Sequence, residues 1–417
     1  MEAMTATNTT AATPEQTAPA APAKLMVPFF RPTLGEAERR AACAVIDSGW
    51  LTTGKVALQF EAEFAAFTGA RHALAVNSNT SGLMLAMEAC GVRQGRSIIT
   101  TPYTFVSTAT CAVHLGADVL FADVERDSNS IDCDSIERLL AADTAHTVAA
   151  IVPVHIAGNL CDMERIVALA RRYSSADRRI YVIEDAAHAF PCRTAHGMAG
   201  TLGDAGVFSF YATKTMTTGE GGMVTTNDDA IARRIATMRL HGMSRDAWDR
   251  YTNPRASWEY DIVEAGYKAN LPDVLAAIGR EQLRQADEFD RQRKAIASRY
   301  NSAFCTLDFV QIPPDGEGNS WHLYIVRLRL EQLDCDRDTF ARELQEAGVG
   351  ISVHFIPLFH FTYWKRRYPD FTAERFPNAE RHYQSAITLP LFPSMTTAQA
   401  DYVIAAVKTL GEKHRVR

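Results

Sequence analysis

Three stretches of the chain carry residues whose types and spacing suit chemistry. In Tyr181-Val-Ile-Glu-Asp-Ala-Ala-His188 an apolar run ends in two carboxylates, and a histidine follows three residues after the second. Ligands of open α/β sheets gather at the carboxyl ends of strands, so Asp185 stands where a site is expected; in isolation, Glu184 and Asp185 would as readily cap a following helix. In Gly206-Val-Phe-Ser-Phe-Tyr-Ala-Thr-Lys-Thr-Met-Thr-Thr-Gly-Glu-Gly-Gly222 an apolar run delivers Ser209 and then Lys214, in a Thr-rich turn with few charges to keep an ammonium protonated. A lysine among hydroxyls and apolar groups can have a lowered pKa, which suits it to a Schiff base with a carbonyl; a lone lysine is more often a solvated loop residue. In Asn77-Ser-Asn-Thr-Ser-Gly82 hydroxyl residues precede a helical stretch bearing Leu83, Met87 and Cys90. Free backbone N–H groups and the helix dipole there favour a phosphate, although the same residues are ordinary N-caps.

The combination says more than its parts. A phosphate cradle, a strand-end Asp about 29 residues before a Schiff-base lysine, and a Ser just ahead of that lysine are what pyridoxal phosphate requires. The lysine forms the Schiff base, and the carboxylate keeps the pyridine nitrogen protonated so that the ring can act as an electron sink.

These residues need elements to position them. Ala73–Val76, Ser97–Thr100, Val119–Phe121, Val148–Val152, Tyr181–Ile183 and Val207–Phe210 read as strands, and helical stretches such as Ser81–Cys90 and Met163–Tyr173 lie between them. That alternation indicates an α/β domain on a mainly parallel sheet. Leu275–Tyr300 reads as one long charged helix, Trp321–Leu330 as a strand, and Asp338–Ala347 and Thr396–Leu410 as helices. The expected organisation is a disordered tail over 1–24, a large domain over 25–280 and a smaller α+β domain over 281–417. The tail is almost entirely Ala, Thr, Pro, Asn and Glu, too poor in large apolar groups to repay ordering.

Composition narrows the function class. The 417 residues hold 43 Lys and Arg against 49 Asp and Glu, a formal charge of -6 with no basic footprint for nucleic acid or an anionic membrane surface. Eight scattered cysteines form no C-x-x-C pair, so no metal cluster or disulfide scaffold is expected. There is no apolar run of membrane-spanning length and no cationic start of a secretory signal, so a cytoplasmic small-molecule enzyme is expected.

Further motifs carry a resemblance. Gly49-Trp-Leu-Thr-Thr-Gly54, Val152-Pro-Val-His-Ile-Ala-Gly158, Ile183-Glu-Asp-Ala-Ala-His188, Phe208-Ser-Phe210, Glu220-Gly-Gly222, His241-Gly242, Gly266-Tyr-Lys-Ala-Asn270 and Leu389-Pro-Leu-Phe-Pro393 occur in this order. From about Phe29 to the C-terminus the chain resembles the DegT/DnrJ/EryC1/StrS family of sugar aminotransferases, and looks most like its UDP-4-amino-4-deoxy-L-arabinose aminotransferases. Thr101-Pro102 and Tyr211 depart from the common family pattern.

The resemblance implies the aspartate-aminotransferase fold (PLP fold type I) and a homodimer with shared sites. It implies that Thr80, Ser81 and Ser209 hold the phosphate, Phe105 stacks on the pyridine ring, Asp185 pairs with its nitrogen and His188 sits beside its hydroxyl. Lys214 would be anchor and proton shuttle. Lys268 and Asn270 would reach the neighbouring subunit's site, Trp50 and His354 would meet substrate, and no metal is implied. The implied reaction passes the amino group of L-glutamate to a nucleotide-linked keto sugar, at C4 of a UDP- or dTDP-sugar. C3 sugars, keto-cyclitols and a non-enzymatic cofactor-binding regulator stay open as alternatives. Family members that dehydrate sugars carry His where the lysine stands, and Lys214 is intact. A sugar diphosphate needs local cations, for which Lys268, His354, the Gly49–Lys55 loop and the Arg239–Arg250 segment are the expected sources.

Overall fold

The computed structural model describes residues 25–243 and 260–416. The expected disordered tail over 1–24 and the 244–250 part of the Arg239–Arg250 segment lie outside the described residues.

Seven strands form the large sheet: β1 (His72–Val76), β2 (Ser97–Thr100), β3 (Asp118–Phe121), β4 (Val148–Ile151), β5 (Tyr181–Asp185), β8 (Ala205–Ser209) and β9 (Gly222–Thr226), in the order β1-β9-β8-β5-β4-β2-β3. A short hairpin, β6 (Arg193–Thr194) with β7 (Gly197–Met198), leads from β5 to β8. β2 and β4 are buried at every residue, which is why they read as unbroken apolar runs and not as alternating ones. β8, β5, β4, β2 and β3 pair in parallel, and β9 runs antiparallel to both of its neighbours. Register sets Asp185 beside Val207 and Ser209 beside Gly222, so the carboxyl ends of β5 and β8 lie together.

β9 is absent from the sequence expectation, where Glu220-Gly-Gly222 appears only as a motif. Its first residue must be glycine for a packing reason: a Cβ on Gly222 would stand 2.9 Å from the backbone nitrogen of Asn79 and 2.7 Å from the Phe208 carbonyl. The strand thus passes directly under the start of helix Asn79–Ala89. That helix lies flat on the sheet at Gly82, where a Cβ would come 2.6 Å from Val207.

The single helix expected over Leu275–Tyr300 is two helices, Asp273–Arg284 and Ala286–Phe304, meeting at Gln285. The Gln282 and Gln285 side chains both bond Glu38 at 2.7 Å and tie the junction to the N-terminal helix Glu36–Ser48. Beyond it, Ile296, Ala297, Tyr300 and Phe304 join a different core. Two burial faces that do not line up along one axis account for the break.

That second core surrounds a small antiparallel sheet of β10 (Val310–Gln311), β11 (Tyr324–Leu328) and β12 (Ala386–Leu389), with helices Arg337–Glu346 and Thr397–Lys413. The segment between Leu358 and Ser385 returns to the large sheet. There Trp364, Phe371 and Phe376 pack around Phe121 of β3, with the Phe121 and Phe371 rings stacked at 4.2 Å.

One seam between the two cores runs from Ala157–Gly158 and His188 to Ser320 and Leu323. Ser320 N–H donates to the Gly158 carbonyl and Leu323 N–H to the Ala157 carbonyl, both at 3.2 Å, and Ser320 Oγ donates to the His188 carbonyl at 3.0 Å. Gly158 adopts φ +101°, and a Cβ there would lie 2.4 Å from Ser320 Oγ, so glycine is required for the approach.

Candidate active site

A cavity of about 600 Å³ opens at the carboxyl ends of β5 and β8 against the small sheet. Thr80, Phe105, Asp185, His188, Ser209, Lys214 and His354 all line it, so these expected residues converge on one space although they are far apart in the chain.

Asp185 ends β5 and is buried. Its Oδ2 accepts from Thr108 Oγ1 at 2.7 Å; its Oδ1 accepts from Ala187 N–H at 3.2 Å and Asn79 Nδ2 at 3.4 Å. Burial raises its pKa, against the opposing pull of these donors and of Lys214. Thr108, and the pairing of Asn79 with Asp185, have no signal in the sequence, because bonds across 77 and 106 residues leave no local trace.

Lys214 follows β8 through a turn in which its N–H donates to the Tyr211 carbonyl at 2.9 Å. Enclosure in the cavity pushes its ammonium down to about 8, with the Asp185 carboxylate pulling the other way. The lysine is thereby brought within reach of neutrality, as a nucleophile or proton carrier requires.

Ser78 is the N-cap, its Oγ accepting the Ser81 N–H at 3.1 Å, and Ser78, Asn79 and Thr80 line the cavity while Ser81 does not. Ser209 Oγ faces the same space and accepts the Tyr211 N–H at 3.3 Å. Phe105 is 60% exposed, an aromatic face presented to the cavity.

Three imidazoles crowd the other wall. His188 Nδ1 accepts the Ala157 N–H at 3.4 Å, and its ring is stacked on Phe355 at 5.6 Å. His354 Nδ1 bonds Thr388 Oγ1 at 2.9 Å, and the His354 ring stacks on Phe29 at 5.8 Å. His322, unnoticed in the sequence, lies 4.4 Å from the His188 ring. Its only local signal is a polar residue just ahead of an apolar strand. Burial, then the charge of Lys214, brings His354 down to about 4. At that value the ring is neutral at neutral pH, which bears on its expected part as a cation for a diphosphate. Burial likewise holds His188 and His322 well below the usual histidine range.

Trp50, Lys268 and Asn270 do not line the cavity of their own chain. They meet instead around Thr53: Trp50 Nε1 donates to the Thr53 carbonyl at 3.4 Å, Asn270 Nδ2 to Thr53 Oγ1 at 2.5 Å, and Lys268 Nζ to Asn270 Oδ1 at 2.6 Å. Away from the site, Asp334, Cys335 and His414 form a surface group of potential ligands, but both His414 nitrogens bond carboxylates, Asp334 at 2.8 Å and Glu343 at 3.0 Å. Among the described residues no helix is long and apolar enough to cross a membrane.

The donor set suits pyridoxal phosphate. A buried carboxylate can hold a pyridinium proton, the amine has a lowered pKa, a helix N-terminus with hydroxyls can take a phosphate, and an open aromatic face can cover a ring. Comparison with known proteins agrees. The sequence profile of the DegT/DnrJ/EryC1/StrS aminotransferase family matches residues 32–408. The spore coat polysaccharide biosynthesis protein SpsC of Bacillus subtilis is 41% identical over 387 residues, covering 92% of this chain and 97% of that one. Spr1654 from Streptococcus pneumoniae, solved in its PMP form, superposes with a TM-score of 0.86 at 30% identity, covering 93% of this chain and 99% of the other. PseC of Helicobacter pylori, an aminotransferase involved in the biosynthesis of pseudoaminic acid, superposes with a TM-score of 0.84 at 26% identity, covering 93% and 100%.

Proposed function

Because the chain belongs to the DegT/DnrJ/EryC1/StrS aminotransferase family, and is thus a pyridoxal-phosphate-dependent sugar aminotransferase, we propose that it moves the amino group of L-glutamate to C4 of a UDP- or dTDP-linked 4-keto sugar. In this reading it works in the cytoplasm as a homodimer, with Lys268 and Asn270 completing the partner's site and Trp50 contributing to the substrate loop. The observation behind the amino-transfer part of this reading is that Lys214 and the buried Asp185 line the same cavity, with the lysine ammonium lowered by enclosure.

Lys214 would anchor the cofactor, Asp185 would keep its ring nitrogen protonated, and the Ser78–Thr80 helix start with Ser209 would take its phosphate. Phe105 would cover the ring and His188 would stand beside its hydroxyl. When bound, pyridoxal phosphate carries the amino group between substrates and takes up electron density while a C–H bond breaks. Lys214, once free, accepts the proton from the donor's α-carbon as a neutral amine and later delivers one to the carbon being aminated. Thr108 and Asn79 keep the Asp185 carboxylate aimed into the cavity. Phe29, Phe355, Leu389 and Leu391 give it apolar walls that exclude water.

The nucleotide-sugar assignment is supported by the polysaccharide and pseudoaminic acid contexts of SpsC and PseC. With His354 neutral, the diphosphate would rely on Lys268, Lys55 and arginines of the 239–250 segment. The test offers UDP- and dTDP-linked 4-keto sugars, a 3-keto sugar and free keto-cyclitols to the pyridoxamine form and follows its absorbance. Oxidation by the 4-keto nucleotides alone is expected; a preference for the 3-keto sugar or a cyclitol overturns the substrate assignment.

A further inference from the structure

We infer that His322 is a specificity-determining residue of this site, donating a hydrogen bond to a carboxylate of the amino donor. The inference rests on the aminotransferase reading above, in which that donor is an amino acid.

His322 stands just before β11 on the cavity wall and is 5% exposed. Its backbone is fixed from both sides: its carbonyl accepts from Arg293 Nη1 at 3.2 Å, and the next N–H, that of Leu323, donates to Ala157. Its side chain is not fixed in this way, because Nδ1 is buried with no hydrogen-bond partner. The neighbouring imidazoles are held through Nδ1, His188 by Ala157 and His354 by Thr388. Buried polar groups in proteins are nearly always paired; the His322 ring lines the cavity without being held through Nδ1, so it is free to turn an N–H toward a ligand that enters.

The chemistry of the donor says which partner. An amino acid brings at least one carboxylate, which must exchange water for hydrogen-bond donors as it enters. Among the described lining residues there is no arginine, and the one lysine, Lys214, must stay free to move a proton. Asp185 and Glu220 repel an anion. Thr80 and Ser209 belong to the phosphate end, and His188 to the ring hydroxyl. His354 is already held by Thr388 through Nδ1, so His322 is the remaining lining imidazole, the one whose Nδ1 has no partner. A neutral imidazole carries one N–H and can give it to a carboxylate without becoming charged.

Holoenzyme is compared with its His322→Phe and His322→Gln variants. Phe keeps a ring against His188 and removes both nitrogens, while Gln restores an N–H donor. Calorimetry measures binding of glutarate, which has carboxylates but no amine, and stopped-flow absorbance follows the glutamate half-reaction and the keto-sugar half-reaction separately. For His322→Phe the affinity for glutarate and the half-saturation for glutamate should each worsen by about tenfold or more, and that for the keto sugar by less than about threefold. His322→Gln should recover most of the loss. Unchanged glutarate affinity in His322→Phe overturns the inference, as does an equal loss in both half-reactions that Gln does not repair, or a loss confined to the sugar half-reaction. If the parent enzyme forms no pyridoxamine species with glutamate, the donor assignment itself falls and this inference with it.

Discussion

Glu184 and Asp185 are consecutive residues of β5 that serve opposite faces of the sheet. Asp185 lines the cavity and takes the hydrogen bond of Thr108. Glu184 turns away, bonding His155 Nε2 at 2.9 Å and accepting the N–H groups of Gly200, Leu202 and Gly203 at 2.7 Å each. One carboxylate is available for chemistry, and the other fastens the turn that leads into the strand before Lys214.

Glu184→Gln tests the fastening. An amide offers one acceptor oxygen where two served three N–H donors and His155, and it turns an NH₂ against them. Disrupting a buried charged network costs about 3–5 kcal/mol. Calorimetry should show a clearly lower Tm, while the folded fraction still binds cofactor.

Asp185→Asn should leave the lysine-bound cofactor absorbance intact but slow both half-reactions by roughly 10²-fold or more, because a neutral amide cannot hold the ring nitrogen's proton. Stopped-flow rates near the parent value would contradict the role given to Asp185.

The lowered pKa of Lys214 gives a pH dependence with a definite sign. In the proposed reaction the free Lys214 amine of the pyridoxamine form would work as the base, so its neutral fraction would control the rate. The single-turnover rate with keto sugar should climb as pH rises through about 8 and level off above it, well short of the ordinary lysine value of 10.5. In Asp185→Asn the carboxylate that holds this pKa up is gone, and the inflection should move to lower pH.

Mixed dimers test site sharing. Lys214→Ala subunits combined with subunits substituted at Lys268 and Asn270 should regain activity, since one hybrid site then has every group intact. Verified heterodimers without activity would show that each chain completes its own site.

Legibility from sequence followed the range of the physics. Buried parallel strands such as Ser97–Thr100 and Val148–Ile151 announce themselves as apolar runs, and Asp185, Ser209 and Lys214 sit on or just after such runs. β9 escaped because its glycine start answers to the helix above it. The break at Gln285 separates two burial faces and is tied to Glu38, 247 residues away, which no local periodicity reports. His322 and the pairing of Thr108 with Asp185 arise only when two cores meet, and the neutrality of His354 is a property of the enclosed cavity and not of its neighbours in the chain.

The return of residues 358–385 to the large sheet means that the two lobes are not modular. A chain cut at the boundary expected near residue 281 would strip Trp364, Phe371 and Phe376 from Phe121, and each large apolar side chain so uncovered forfeits about 1.5–3 kcal/mol of burial. It would also remove the Ser320 clasp from His188. The cofactor lobe therefore cannot be excised as an autonomous unit, and recombination that exchanged the small lobe between relatives would have to carry this aromatic plug with it.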